Sequence, residues 1–218
     1  MYKLVKDGVR FYFTDEKGNQ ITEDFGYIFE SGASRGESPY FIATKETVLD
    51  KEKPTVAMKN SKWAIYDIKT GQQLTDFYDW ITTKGVVQGQ SIYFRAEYNK
   101  HEALFTFDKQ VTKWFRKIRD RGALTGESKY YWAKEKTHYA LYDIETGEKL
   151  TEDYKSSVIA GAVIGRGNYI VGSYGDEIFF IVDLKTGKRL TPDFDEPTLI
   201  EILKHGDLER AVKELNSV

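Results

Sequence analysis

The chain contains no cysteine, which excludes disulfides and thiolate metal sites. Its three histidines make no metal motif: His101-Glu102 is not followed by a second histidine at the zinc-protease spacing. No Gly-x-Ser-x-Gly elbow is present, and Gly161, Gly165 and Gly167 are not followed by the Lys-Ser/Thr of a phosphate loop. Apolar runs are short, the longest being about five residues at Ile178-Phe-Phe-Ile-Val182, too few to span a membrane. The opening Met1-Tyr-Lys-Leu-Val-Lys-Asp-Gly8 lacks the apolar core and small-residue cleavage site of a signal peptide, so the expected location is the cytoplasm. A formal charge of −2 gives no global attraction to nucleic acid or to an anionic membrane. The lack of cysteine, the two methionines and the many Lys and Glu also suit a thermophile.

What the chain has is aromatics, with fifteen Tyr, thirteen Phe and four Trp in 218 residues, and these favour pleated sheet. It also repeats itself. Ala64-Ile-Tyr-Asp-Ile-Lys-Thr-Gly-Gln-Gln-Leu-Thr75 matches Ala140-Leu-Tyr-Asp-Ile-Glu-Thr-Gly-Glu-Lys-Leu-Thr151 and Phe180-Ile-Val-Asp-Leu-Lys-Thr-Gly-Lys-Arg-Leu-Thr191, with weaker copies ending at Thr22 and Thr112. Three residues after each Thr stands an aromatic: Phe25, Tyr78, Phe115, Tyr154, Phe194. In the first four copies a glycine follows (Gly36, Gly89, Gly126, Gly165), then a tyrosine (Tyr40, Tyr93, Tyr130, Tyr169), then a small residue (Ala43, Ala96, Ala133, Gly172), all at constant spacing.

Each unit reads as four short strands. The small-residue segments Gly32–Gly36, Gly85–Gly89, Ala123–Gly126 and Ala160–Gly165 supply the first; the tyrosine run and the run ending in Tyr-Asp supply the second and third. Thr-Gly makes a hairpin turn, stabilised by Asp67, Asp143 and Asp183, and Leu-Thr-x-x-aromatic is the fourth strand. Four strands in about forty residues is a propeller blade, which buries its faces only against neighbours. The expected fold is therefore all-β, a five-bladed β-propeller of four-stranded antiparallel blades with a short C-terminal helix. Its repeats run over about 1–31, 32–84, 85–121, 122–159 and 160–198, with a closing segment and helix over 199–218. The first repeat begins in its second strand, so Leu199-Ile-Glu-Ile-Leu-Lys204 fits the missing closing strand by register and a helix by its flanking Pro197 and Gly206. Asp207 is a good N-cap for a helix over about 208–217.

Ala-Leu-Tyr-Asp-Ile-Glu-Thr-Gly at 140–147, with its copies at 64–71 and 180–187, resembles the Ala-x-Asp-x-x-Thr-Gly core of quinoprotein-type propeller repeats, with one extra residue between Ala and Asp. It is also similar to the Trp-Gly repeat family. The resemblance implies a propeller. It implies no quinone cofactor, because the tryptophan expected four residues after the glycine is Thr75, Thr151 or Thr191 here.

Chemistry is sparse. The presumed axial strands carry no acid, which argues against glycoside hydrolysis and for a protein that is not an enzyme and uses no cofactor. One segment is asymmetric: Lys109-Gln-Val-Thr-Lys-Trp-Phe-Arg-Lys-Ile-Arg-Asp-Arg121 has six basic residues against one acid. Lys113, Trp114, Arg116, Lys117, Arg119 and Arg121 are thus candidates for binding an acidic protein surface. Fourteen extra residues in the second repeat lengthen the 44–62 loop and add Asp50, Lys51 and Lys53 as candidates. The expected function is a non-catalytic binding or scaffold protein with a protein partner. A glycan is the alternative ligand, with Trp63, Trp80, Trp114 and Trp132 as sugar platforms in a lectin or, less favoured, a glycosidase. Nucleic acid comes third, through the basic segment.

Overall fold

A computed structural model describes residues 2–29, 32–46, 61–175 and 177–217. The chain divides into two compact units, residues 1–113 and 114–218. Its described residues are mostly β, with five small antiparallel sheets and two short helices.

The described residues of the first unit form three sheets. The first is the hairpin of β1 (Lys3–Asp7) and β2 (Arg10–Thr14). The second orders β3 (Tyr27–Ile28), β4 (Tyr40–Thr44) and β5 (Ala64–Asp67), and the third orders β6 (Trp80–Ile81), β7 (Phe94–Tyr98) and β8 (His101–Phe105). In the second unit, β9 (Lys117–Ile118), β10 (Tyr130–Lys134) and β11 (Tyr139–Asp143) form the fourth sheet, and β12 (Tyr169–Ser173) pairs with β13 (Phe179–Asp183) in the fifth.

Alternation along the strands gives a sheet two faces, and within each unit neighbouring sheets bury apolar faces against each other. Phe13 of the first sheet packs on Ile28, Phe41 and Ala43 of the second. Ile42, Trp63 and Ile65, on the opposite face of the second sheet, pack on Ile81, Phe94 and Ala103 of the third. In the second unit Trp132 and Leu141 of the fourth sheet meet Ile170, Phe180 and Val182 of the fifth. The remaining face of the fifth sheet, with Val171, Phe179 and Ile181, is covered by Leu199, Leu208 and Ala211 of the two helices. The small-residue column has its reason here: a Cβ on Gly172 would lie 2.6 Å from the Phe180 ring.

Two expectations about the blade change. The small-residue segments are not strands. Gly32–Arg35, Gly85–Gln88 and Gly161–Ile164 are single 3₁₀ turns, and 122–126 is a turn of the same kind. Each opens and closes on a left-handed glycine. Gly122, for example, has φ +79°, and a Cβ there would stand 2.1 Å from the Tyr130 carbonyl oxygen. The leading strand of a sheet is instead the two-residue element before this turn, β3, β6 or β9.

The fourth segment is also irregular. At its start Leu74, Leu150 and Leu190 donate to the carbonyls of Ile65, Leu141 and Ile181. The next residue is the repeated threonine, and its hydroxyl, not a backbone carbonyl, accepts the N–H of that same strand residue. All five copies do this: Phe13 to Thr22 (3.0 Å), Ile65 to Thr75 (3.1 Å), Leu104 to Thr112 (3.0 Å), Leu141 to Thr151 (3.0 Å) and Ile181 to Thr191 (3.0 Å). The segment then runs without a loop into the next sheet. Tyr78 exchanges both backbone bonds with Trp63 of the second sheet, and Asp79 already donates to Glu97 of the third. Phe25 and Gly26 repeat the pattern with Phe11 and Thr44, as do Tyr154 and Lys155 with Tyr139 and Ser173.

The hairpin turns match expectation. The Asp67 carboxylate accepts from Lys69 and Thr70, that of Asp143 from Glu145 and Thr146, and that of Asp183 from Lys185. Gly71, Gly147 and Gly187 sit at φ +67°, +74° and +67°. At the end of the chain, 199–204 is helix and not a closing strand. α1 (Glu196–His205) is capped by Asp195, whose side chain accepts from the Thr198 N–H, and stops at left-handed Gly206. α2 (Leu208–Leu215) follows, capped by Asp207 as expected.

Candidate functional site

The basic segment falls on the edge of the fourth sheet. β9 is held to β10 by Ile118 opposite Ala133, both buried, and by Lys117 opposite Lys134. Alternation then turns the two lysines to the same face, away from Ile118. Backbone bonds from Arg116 to the Lys134 carbonyl (2.8 Å) and from Arg119 to that of Trp132 (3.0 Å) bracket the pair. The Arg116 guanidinium donates to the Lys136 carbonyl at 3.2 Å. Arg119 donates from Nε to Ser157 Oγ (2.6 Å), and its guanidinium carbon lies 5.0 Å from the Tyr139 ring. Lys134 Nζ stands 5.1 Å from the same ring. Arg116, Lys117 and Arg119 are exposed and Lys134 half-buried. At the equivalent register the second sheet pairs Tyr27 with Thr44, and the third pairs Trp80 with Glu97. Like charges directly opposite across strands repel by a few tenths to about 1 kcal/mol. Lys134 gains a cation–π attraction from the Tyr139 ring, as does Arg119.

The remaining candidates do not join this group. Arg121 forms a two-point ion pair with Glu127, which also accepts from Thr125 Oγ1 (2.6 Å) and the Gly122 N–H (3.2 Å). The Arg121 guanidinium, with Thr125 and the Gly122 N–H helping, holds the Glu127 carboxyl down at about 2 against the opposing effect of burial. This cluster closes the glycine turn. Lys113 is exposed at the end of the first unit, and Trp114, 36% exposed, begins the second. Asp50, Lys51 and Lys53 lie outside the described residues.

Lys134 and Tyr139 were not singled out from sequence. They lie beyond the basic run and reach it only through strand register. Aligning columns 27, 80, 117 and 44, 97, 134 would have exposed the lysine pair. A second overlooked column is Gln20, Gln73, Gln110 and Arg189, each donating its side chain to the carbonyl of the threonine two residues on (2.6–2.8 Å).

The three histidines are exposed. His101 Nδ1 meets the Asn99 carbonyl, His138 Nδ1 the Thr137 hydroxyl, and His205 Nε2 the Glu201 carboxylate. Among the described residues no group of three His, Asp or Glu side chains is placed to hold a metal. Among the described residues no helix is long and apolar enough to cross a membrane. Trp63 and Trp132 are fully buried, which removes them as sugar platforms, whereas Trp80 and Trp114 each keep 36% exposure. A cavity of about 260 Å³ lies between Arg166–Tyr169 and the start of α2, and one of about 250 Å³ between Leu4, Lys6, Phe11, Ser34 and Arg35.

No protein-family model matches the chain, and no curated protein does. Among solved structures it is similar to the computationally designed Ika8 protein (TM-score 0.40, 12% identity, 88% of this chain and 60% of that one). It is similar at the same level to the mitotic checkpoint complex (0.39, 10%, 86% and 61%) and to HIRA(644-1017) (0.35, 10%, 72% and 50%). The chain spans about three fifths of the length of the first two. Overlaps this loose establish neither fold nor function.

Proposed function

We propose that the chain is a non-catalytic scaffold of the cytoplasm whose fourth sheet receives an acidic segment of a partner protein. The five sheets are read as blades of a five-bladed β-propeller, with repeats bounded as the sequence spacing suggests. Support for that reading is the face-to-face burial of consecutive sheets, seen between first and second, second and third, and fourth and fifth. The observation that carries the function is the Lys117–Lys134 pair with Arg116 and Arg119 beside it. Basic side chains grouped on one sheet edge complement a segment rich in carboxylates.

The test is fluorescence anisotropy with a labelled twelve-residue polyglutamate peptide. Binding should weaken by at least about tenfold in the Lys117→Glu/Lys134→Glu variant, with circular dichroism confirming the fold, and should weaken as salt rises. Affinity unchanged by the double reversal, or tighter binding to an oligonucleotide of equal charge, would refute it.

A further inference from the structure

We propose that the cavity between the β1–β2 hairpin and the turn Gly32–Arg35, in the first compact unit, binds a small carboxylate with an apolar body. The argument starts from the repeat itself. The third residue of the glycine turn is Val87, Leu124 and Val163 in the third, fourth and fifth copies, and each is fully buried. Val87 shares a core with Ile42 and Trp63 of the preceding sheet, and Val163 does so with Trp132 and Leu141. In the second copy the same position is Ser34, smaller and only half-buried. Against the first sheet the equivalent space stays open, a cavity of about 250 Å³ lined by Leu4, Lys6, Phe11, Ser34 and Arg35.

Strand register sorts its walls. Leu4 stands opposite Phe13 and Lys6 opposite Phe11, so the four side chains share one face. Leu4 and Phe11 pack against a core that contains Phe13 and Ala33, which brings the turn over that same face. The Lys6 ammonium lies 5.5 Å from the centre of the Phe11 ring. Lys6 and Arg35 are exposed, and among the described residues neither is in an ion pair. Of the acids flanking these elements, Asp24 pairs with Arg10, Glu23 pairs with Lys45, and Glu37 accepts the Gly32 N–H. Asp7 alternates to the other face of the hairpin.

The lining defines the ligand. Leu4 and Phe11 give the cavity an apolar wall, and its volume is enough for one aromatic ring, since a dry cavity of about 150 Å³ accepts benzene. Arg35 and Lys6 add two cations, and a guanidinium fork matches both oxygens of a carboxylate. A bare inorganic anion would leave Leu4 and Phe11 against water, and a neutral ring would leave the cations unused. A carboxylate carried on a ring or short alkyl chain uses both halves of the lining.

Phenylacetate would be titrated into the full chain by calorimetry and saturation-transfer NMR, with phenylacetamide and inorganic phosphate as controls. It should bind saturably at millimolar concentration, at least about tenfold more tightly than either control. Arg35→Gln should weaken binding by about tenfold or more. Ser34→Val restores the residue of the third and fifth copies. It should abolish binding and raise the melting temperature, because the added methyl groups fill the void. Arg35→Gln alters an exposed side chain and keeps the test valid if Ser34→Val folds poorly. The inference is overturned if phenylacetate does not bind folded protein, if the amide or phosphate binds equally well, or if affinity survives both substitutions. Lys117→Glu/Lys134→Glu should leave phenylacetate affinity unchanged, so this site and the basic edge stand or fall separately.

Discussion

Thr22, Thr75, Thr112, Thr151 and Thr191 are conspicuous in the sequence only as a column, yet each does the same physical task. Each supplies a hydroxyl where the ladder between third and fourth segments has no carbonyl to offer. A buried N–H left without an acceptor costs about 1–3 kcal/mol. Thr191 is 5% exposed and accepts from buried Ile181. Thr191→Val, equal in shape but lacking the acceptor, should therefore destabilise the protein by about that amount in urea unfolding. Thr191→Ser keeps the oxygen and should fall closer to the parent chain. The spacing of the column was legible from sequence, but its role was not, because a threonine in a strand-like run reads simply as a β-former. The basic site was legible to the same limited extent. Arg116, Lys117 and Arg119 are neighbours along the chain, whereas Lys134 and Tyr139 join them through hydrogen-bond register, which no local count of charges reveals.

At the scale of elements, the hairpins and their turns follow directly from Tyr-Asp and Thr-Gly, because aspartate capping and a left-handed glycine are local chemistry. The small-residue segments misled for an equally local reason. Gly, Ala and Val satisfy a crowded strand and a tight turn alike. The deciding signal is a pair of glycines four apart (32 and 36, 85 and 89, 122 and 126, 161 and 165), all at positive φ. The true leading strands β3, β6 and β9 are two residues each, too short to show alternation. At the C-terminus, register and capping chemistry pointed different ways, and capping by Asp195 and Gly206 prevailed. The turn makes its own prediction. Gly122→Ala must strain φ and press a methyl on the Tyr130 carbonyl, so it should cost more than about 2 kcal/mol. Gly18 has a similar φ of +87° but nothing within 4 Å, so Gly18→Ala should cost only the left-handed penalty of about 1–2 kcal/mol. Thermal melts of the two variants measure the difference.

For the whole molecule, the proposed ring of blades is checked by its dimensions. A compact chain of 218 residues has a radius of gyration of about 17 Å. X-ray scattering from a dilute solution should return a value near this, and a markedly larger one would speak against blades gathered about one axis. The near-zero net charge averages over an uneven sequence, with six basic residues against one acid over 109–121, so the charge of the whole chain describes no single segment. One consequence follows from the way Tyr78, Phe25 and Tyr154 close one sheet while the very next residue opens another. At these three junctions no slack chain separates the neighbours, so tearing the outer segment from one repeat drags the first hydrogen bond out of its successor. Damage in such a chain spreads rather than staying where it began. A protease nick or a local opening at one repeat should therefore be felt next door, and repeats within a unit should exchange their amide hydrogens as a block.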